Sequence, residues 1–139
     1  MKTIINLTQH KATPEQIADG VVDLPESYRK QLIELLTFNE LPTIGGIKAR
    51  ARAIAELVDA FLCDKATEEE TPLPKHIHAM IGGAPYLMAH LEHALKFSLH
   101  LNITALYAFS ERISTEEVQP DGTIKKVSSF KHAGFIEVV

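Results

Sequence analysis

Three short stretches hold the residues whose types and spacing could do chemistry. Thr8, Gln9 and His10 end a β-branched run, Gly82, Gly83 and Ala84 lie between an apolar run and a proline, and Ser110 and Arg112 stand two apart inside a third run. The middle stretch, His76 to Tyr86, reads as a buried strand passing through two glycines into a helix that Pro85 opens, since proline needs no donor at the first helical position. Such a helix leaves its first amide N–H groups unpaired at a partly positive end, so phosphate or carboxylate can sit on the amides of Gly83 and Ala84. The plain alternative is a glycine turn that lets a helix pack closely on a sheet. Arg112 could clamp a phosphate through parallel hydrogen bonds, or it could be an outward strand arginine paired across a hairpin with Glu116 or Glu117. His10 could act as a general base near neutral pH, or be a surface loop histidine. Ser110 lacks a Gly-x-Ser-x-Gly elbow, which leaves it hydrogen bonding rather than nucleophilic attack.

The remaining histidines suggest metal binding but lack its spacing. His90, His93 and His100 share a helical face near Glu92, yet His-Leu-Glu-His is neither the four-apart zinc pair nor its inverse, so no metal is expected. His76 and His78 alternate on a strand, where a histidine satisfied by a backbone carbonyl is the ordinary reading. Cys63 stands alone on the apolar side of a helix, as an inert packed thiol would. Lys125, Lys126, Lys131 and His132 give the hairpin a local basic bias, which could assist an anion or discourage edge pairing.

Composition limits what these residues can serve. With 139 residues, 45% hydrophobic and 23% charged, the chain is of a size for one globular domain spanning 1–139. A net charge of −4, with no block of Lys or Arg, lacks the footprint of a duplex-nucleic-acid or membrane-surface binder. The N-terminus turns polar too soon for a signal peptide, no apolar run approaches the roughly 18 residues of a membrane span, and no cofactor motif is present. A cytoplasmic protein without cofactor is the expectation.

The elements that must position the candidates follow from period and punctuation. Thr3 to Thr8 reads as strand one, and Thr13-Pro14-Glu15-Gln16 as a capped short helix closed by Gly20. A second helix starts near Asp23 to Pro25 and carries Tyr28, Leu32, Leu35 and Leu36. Ile44 to Leu62 repeats apolar residues at three and four, and the acidic stretch from Asp64 to Pro74 reads as a solvated connector. After the glycine strand comes a helix from Ala84 to about His100, then a long strand from Ile103 to Ile113. Pro120-Asp121-Gly122 turns the chain back through Thr123 to Phe130, and Gly134 to Val139 closes it as a bent continuation or a separate strand. These elements predict an α/β, Rossmann-like fold: a mostly parallel sheet with helices on both faces and a C-terminal β-hairpin. The expected order places the glycine strand and the Ile103 strand on opposite sides of strand one, with the two long helices on opposite faces. The strand ends that carry the candidate residues would then converge at a switch point, where such sheets bind ligands.

Asn-Leu-Thr-Gln-His at a strand end, a Gly-Gly turn into a helix and a Ser-x-Arg strand entering a long hairpin together resemble the small Rossmann-like proteins of the CRISPR-associated (CARF-like) superfamily, some of which bind or cleave cyclic oligoadenylates. The whole chain is also similar to uncharacterised proteins carried by Mu-like prophages. The first resemblance implies a homodimer with a composite nucleotide pocket, with Gly82 and Gly83 near phosphate and Thr8, Gln9, His10, Ser110 and Arg112 around the ligand. Binding of a small anionic ligand, foremost a cyclic nucleotide, is therefore expected. The alternatives are a metal-independent phosphodiesterase in which His10 and Arg112 act on the scissile phosphate, and a prophage accessory protein with no small ligand. A homodimer is also expected from the open hairpin edge.

Overall fold

The computed structural model describes residues 2–138. In chain order the elements are β1 (Ile4–Leu7), α1 (Pro14–Ala18), β2 (Val21–Asp23), α2 (Glu26–Leu36), α3 (Ile44–Glu68), β3 (His76–Ile81), α4 (Pro85–Lys96), β4 (Asn102–Val118) and β5 (Ile124–Glu137). The strands form one sheet in the order β2-β1-β3-β4-β5, parallel except for the antiparallel β4–β5 pair, and the sheet curls into a half-barrel.

Local chemistry fixes the ends of the helices. Thr13 and Gln16 form a reciprocal capping box at the start of α1, and Gly20 turns the chain into β2 with a φ of 102°. Thr43 accepts from the Gly46 amide to cap α3. At the other end of α2, the Arg50 guanidinium donates to the carbonyls of Glu34, Leu35 and Thr37 and stacks on Phe38 at 4.3 Å. A cation there also answers the negative end of the helix dipole.

Alternation along the strands divides the core into two faces. Ile5, Leu7, Ile77, Ala79, Ile81, Ile103 and Ala105 pack on one side against Leu32, Ile54, Val58, Leu91 and other apolar residues of α2, α3 and α4. Each fully buried Leu or Ile there is worth about 1.5–3 kcal/mol. Ile4, Val21, Met80 and Leu106 make a smaller cluster on the other side, joined by Ala12 and Phe135. The short α1 lies on that second, concave side. The backbone N–H of His132 in β5 donates to Glu15, and its Nε2 lies 2.8 Å from Asp19. Because β5 is the far edge of the sheet, only a curled sheet brings these partners together.

The fold corrects the expected topology in two respects. β3 and β4 lie consecutively on the same side of β1, and the place expected for the third long strand is taken by β2. At three residues, β2 is too short to show a period. Two successive right-handed crossovers in one direction must put their helices on the same face, so α3 and α4 pack side by side rather than on opposite faces. Element ends also differ. α3 runs on to Glu68, through part of the stretch read as a connector, because its last turns are solvated and need no apolar face. α4 stops at Lys96, and Leu99 is exposed. β4 and β5 form one continuous ladder with an irregularity at Phe109/Ser110, which makes the C-terminal segment a bent continuation of β5.

Candidate functional site

The chain leaves β1 toward the concave face through α1 and leaves β3 toward the helical face through α4. The order reverses between these neighbours, so the crevice beyond their carboxyl ends is the switch point of this sheet. Thr8 and Gly82 meet there. A Cβ added to Gly82 would stand 3.4 Å from Thr8 Cγ2, so the missing side chain keeps the concave surface open between the two strands. Continuing across the sheet, Ala108 and Ser110 project to the same face as Met80 and Leu106, and both are exposed.

Asn6 organises the β1 exit. It is fully buried on the concave face, and its Nδ2 donates to Asp23 Oδ1 and to the His10 carbonyl, both at 2.8 Å. Its Oδ1 accepts from the Thr8 amide and the Thr8 hydroxyl. Asp23 Oδ1 also accepts from the Ala12 amide. The loop from Thr8 to Ala12 is thereby tied to β1 and β2 through one amide side chain and one carboxylate.

The structure brings some of the expected residues together and separates others. Thr8, Gly82 and Gly83 adjoin the β1–β3 crevice, and Ala84 is the N-cap of α4 without any side-chain cap. Gly83 has a φ of 150° and faces Met88 and Leu36 on the helical side. The Gln9 side chain reaches Thr37 and its carbonyl accepts from Arg29, so this residue serves the helical side. The backbone carbonyl of His10 is held by Asn6 and Thr8, whereas the residue itself is exposed. Ser110 and Arg112 lie farther out, on the hairpin beyond the last β3 pairing at Leu106. Arg112 does not pair with Glu116 or Glu117. Its guanidinium donates to Ser128 Oγ at 3.2 Å, and its directly opposed residue is Phe130, 74% exposed.

His132 is the residue that the spacing arguments passed over. It opposes Ser110 in the ladder, its side chain is only 7% exposed, and its Nδ1 is buried without a partner among the described residues while Nε2 faces Asp19. Its ring meets Phe135 edge-on at 5.0 Å. In the sequence its sign is slight, a histidine inside a basic strand. Arg29 is a second buried group with a nitrogen, Nη1, that has no partner among the described residues, while its Nη2 donates to the Gln9 carbonyl. No group of three or more His, Cys, Asp or Glu is placed to hold a metal among the described residues.

Other features lie away from this crevice. A groove of about 500 Å³ between α3 and α4, lined by Ala55, Ala60, Phe97 and Leu99, is on the opposite side of the sheet. Asp59 beneath it accepts from Ser98, the His100 amide and Cys63. Partial burial, then this hydrogen bond, pushes the Cys63 thiol up from its ordinary value, which keeps it protonated and unreactive. No helix among the described residues is long and apolar enough to cross a membrane.

The sequence model of the uncharacterized protein MJ1673 family matches residues 2–136, which takes in every element of the sheet but the last residue of β5. The chain belongs to that family. No curated protein and no solved structure matches it. In this MJ1673-family chain the crevice, α1 and the hairpin up to residue 136 fall within the matched residues.

Proposed function

We propose that the concave side of the sheet, from the β1 exit to the β4–β5 hairpin, binds a small anionic ligand, foremost a linear or cyclic nucleotide. The observation that carries this reading is the state of Arg112: on the concave side its guanidinium donates only to Ser128 Oγ and forms no ion pair among the described residues. Its charge remains available to phosphate. Phe130 beside it offers an exposed aromatic face, and bases stack on such faces whatever their sequence. Thr8, Gly82 and Ser110 supply hydroxyls and an open surface, and the uncapped start of α4 adds the amides of Gly83 and Ala84. The resemblance to CARF-like proteins is what narrows the anion to a cyclic oligoadenylate in a cytoplasmic setting. A thermal-shift screen with inorganic phosphate and linear and cyclic adenylates tests the reading. A nucleotide that raises the melting temperature more than phosphate does supports it. No shift from any of them leaves a prophage accessory role without a small ligand.

A second reading, turnover of a phosphodiester without metal, is favoured by the His132–Asp19 pair. Asp19 holds the ring through Nε2, the ring stands opposite Ser110 in the ladder, and turnover through it requires the hairpin to open enough to expose the buried Nδ1. In this reading His132 takes the role first given to His10. His132→Gln should then abolish product formation while retaining nucleotide binding; equal turnover by both proteins would discard it.

A further inference from the structure

Beyond Tyr107 the β4–β5 hairpin leaves the body of the sheet. β4 pairs with β3 only from Asn102 to Leu106 yet runs on to Val118, and β5 is the edge strand. The outer part is a two-stranded ribbon with both edges open. Among the described residues, His132 alone anchors that part to another element by hydrogen bonds. Such a ribbon is marginal in water by itself, and open edges invite pairing.

Its charges are sorted by strand. Glu111 opposes Lys131, Glu116 opposes Lys126 and Glu117 opposes Lys125, so β4 carries the acid and β5 the base in each pair. Edge pairing of two copies about a two-fold axis would set β4 beside β4 or β5 beside β5, like charge against like. The convex face suits a different arrangement. It presents Phe109, Glu111, Ile113, Thr115 and Glu117 of β4, alongside Lys125, Val127 and Lys131 of β5. Two such faces packed about a two-fold axis parallel to the ribbon put β4 of one copy over β5 of the other at equal height. Glu111 then meets the other copy's Lys131 and Glu117 meets its Lys125, twice over by symmetry, around a strip made by Ile113, Thr115 and Val127. An axis across the ribbon would instead lay glutamate over glutamate.

We propose that this chain forms a closed homodimer through the convex faces of its two hairpins, β4 over β5, with the concave faces left free. The proposal does not depend on the ligand reading.

The test exchanges the charges: Glu111→Lys, Glu117→Lys, Lys125→Glu and Lys131→Glu together preserve every pair inside the hairpin. Sedimentation should give a dimer for the wild type and for the exchanged protein alike. When the two labelled proteins are mixed they should sort, because acid would face acid across a mixed interface. Efficient mixed dimers would overturn the face-to-face arrangement in favour of edge or crosswise pairing. A 15.4 kDa monomer of the wild type at tens of micromolar would overturn the dimer itself.

Discussion

Ser110 and His132 oppose each other across the β4–β5 ladder on the concave side of the sheet, and His132 ties that point of the hairpin to Asp19 of α1. Through this contact the far edge strand, β5, reaches the helix that follows β1. The same contact buries the imidazole, whose Nδ1 has no hydrogen-bond partner among the described residues.

The two glycines at the end of β3 should respond differently to alanine. Gly83→Ala forces a side chain onto a φ of 150° and should cost about 1–3 kcal/mol of stability, read from urea unfolding. Gly82→Ala meets only Thr8, at ordinary contact distance, so it should fold nearly as well as the wild type. Its methyl group would fill the concave surface, and nucleotide affinity should fall.

Asn6→Ala should be among the most damaging polar substitutions. It removes the partners of the Thr8 amide and of the His10 carbonyl, and one donor to Asp23, in a fully buried position. A loss of about 3 kcal/mol is expected, with faster exchange of the Thr8 amide as the local signature.

Stability should fall on mild acidification. Burial holds the His78 imidazole below its ordinary value, with Lys2 adding to the effect, so the folded state prefers it neutral. The unfolded chain takes up the proton first, near pH 6.5, and stability is therefore lost as pH falls from there through the lower folded value. His78→Val should flatten this part of the melting-temperature profile between pH 7.5 and 5.5, as an order-of-magnitude window around that value. An unchanged slope would assign the acid sensitivity to other groups.

Much of this was legible in the residues, and the exceptions have physical reasons. The capping box at Thr13, the glycine strand and the Pro120-Asp121-Gly122 turn rest on local rules that tertiary structure rarely overrides. Strand order is not local. Val21 to Asp23 is too brief to show a period, and without it nothing in the chain says that β3 and β4 lie on the same side of β1. The meeting of Thr8 with Gly82 survives the change of order because β1 and β3 are neighbours in both arrangements. Asn6 owes its burial to the β1 exit loop and to Asp23 of the neighbouring β2, and His132 to the curl that carries β5 over α1, so their residue types alone gave little sign.

The most direct test is calorimetric titration of the wild type and of Arg112→Ala with the adenylate that gives the largest thermal shift. Losing a hydrogen bond to a charged group, worth about 1.5–3 kcal/mol, should weaken binding roughly ten- to a hundred-fold while the far-UV spectrum and melting temperature stay the same. Equal affinity in a folded Arg112→Ala protein would contradict an anion site on the concave face of this hairpin.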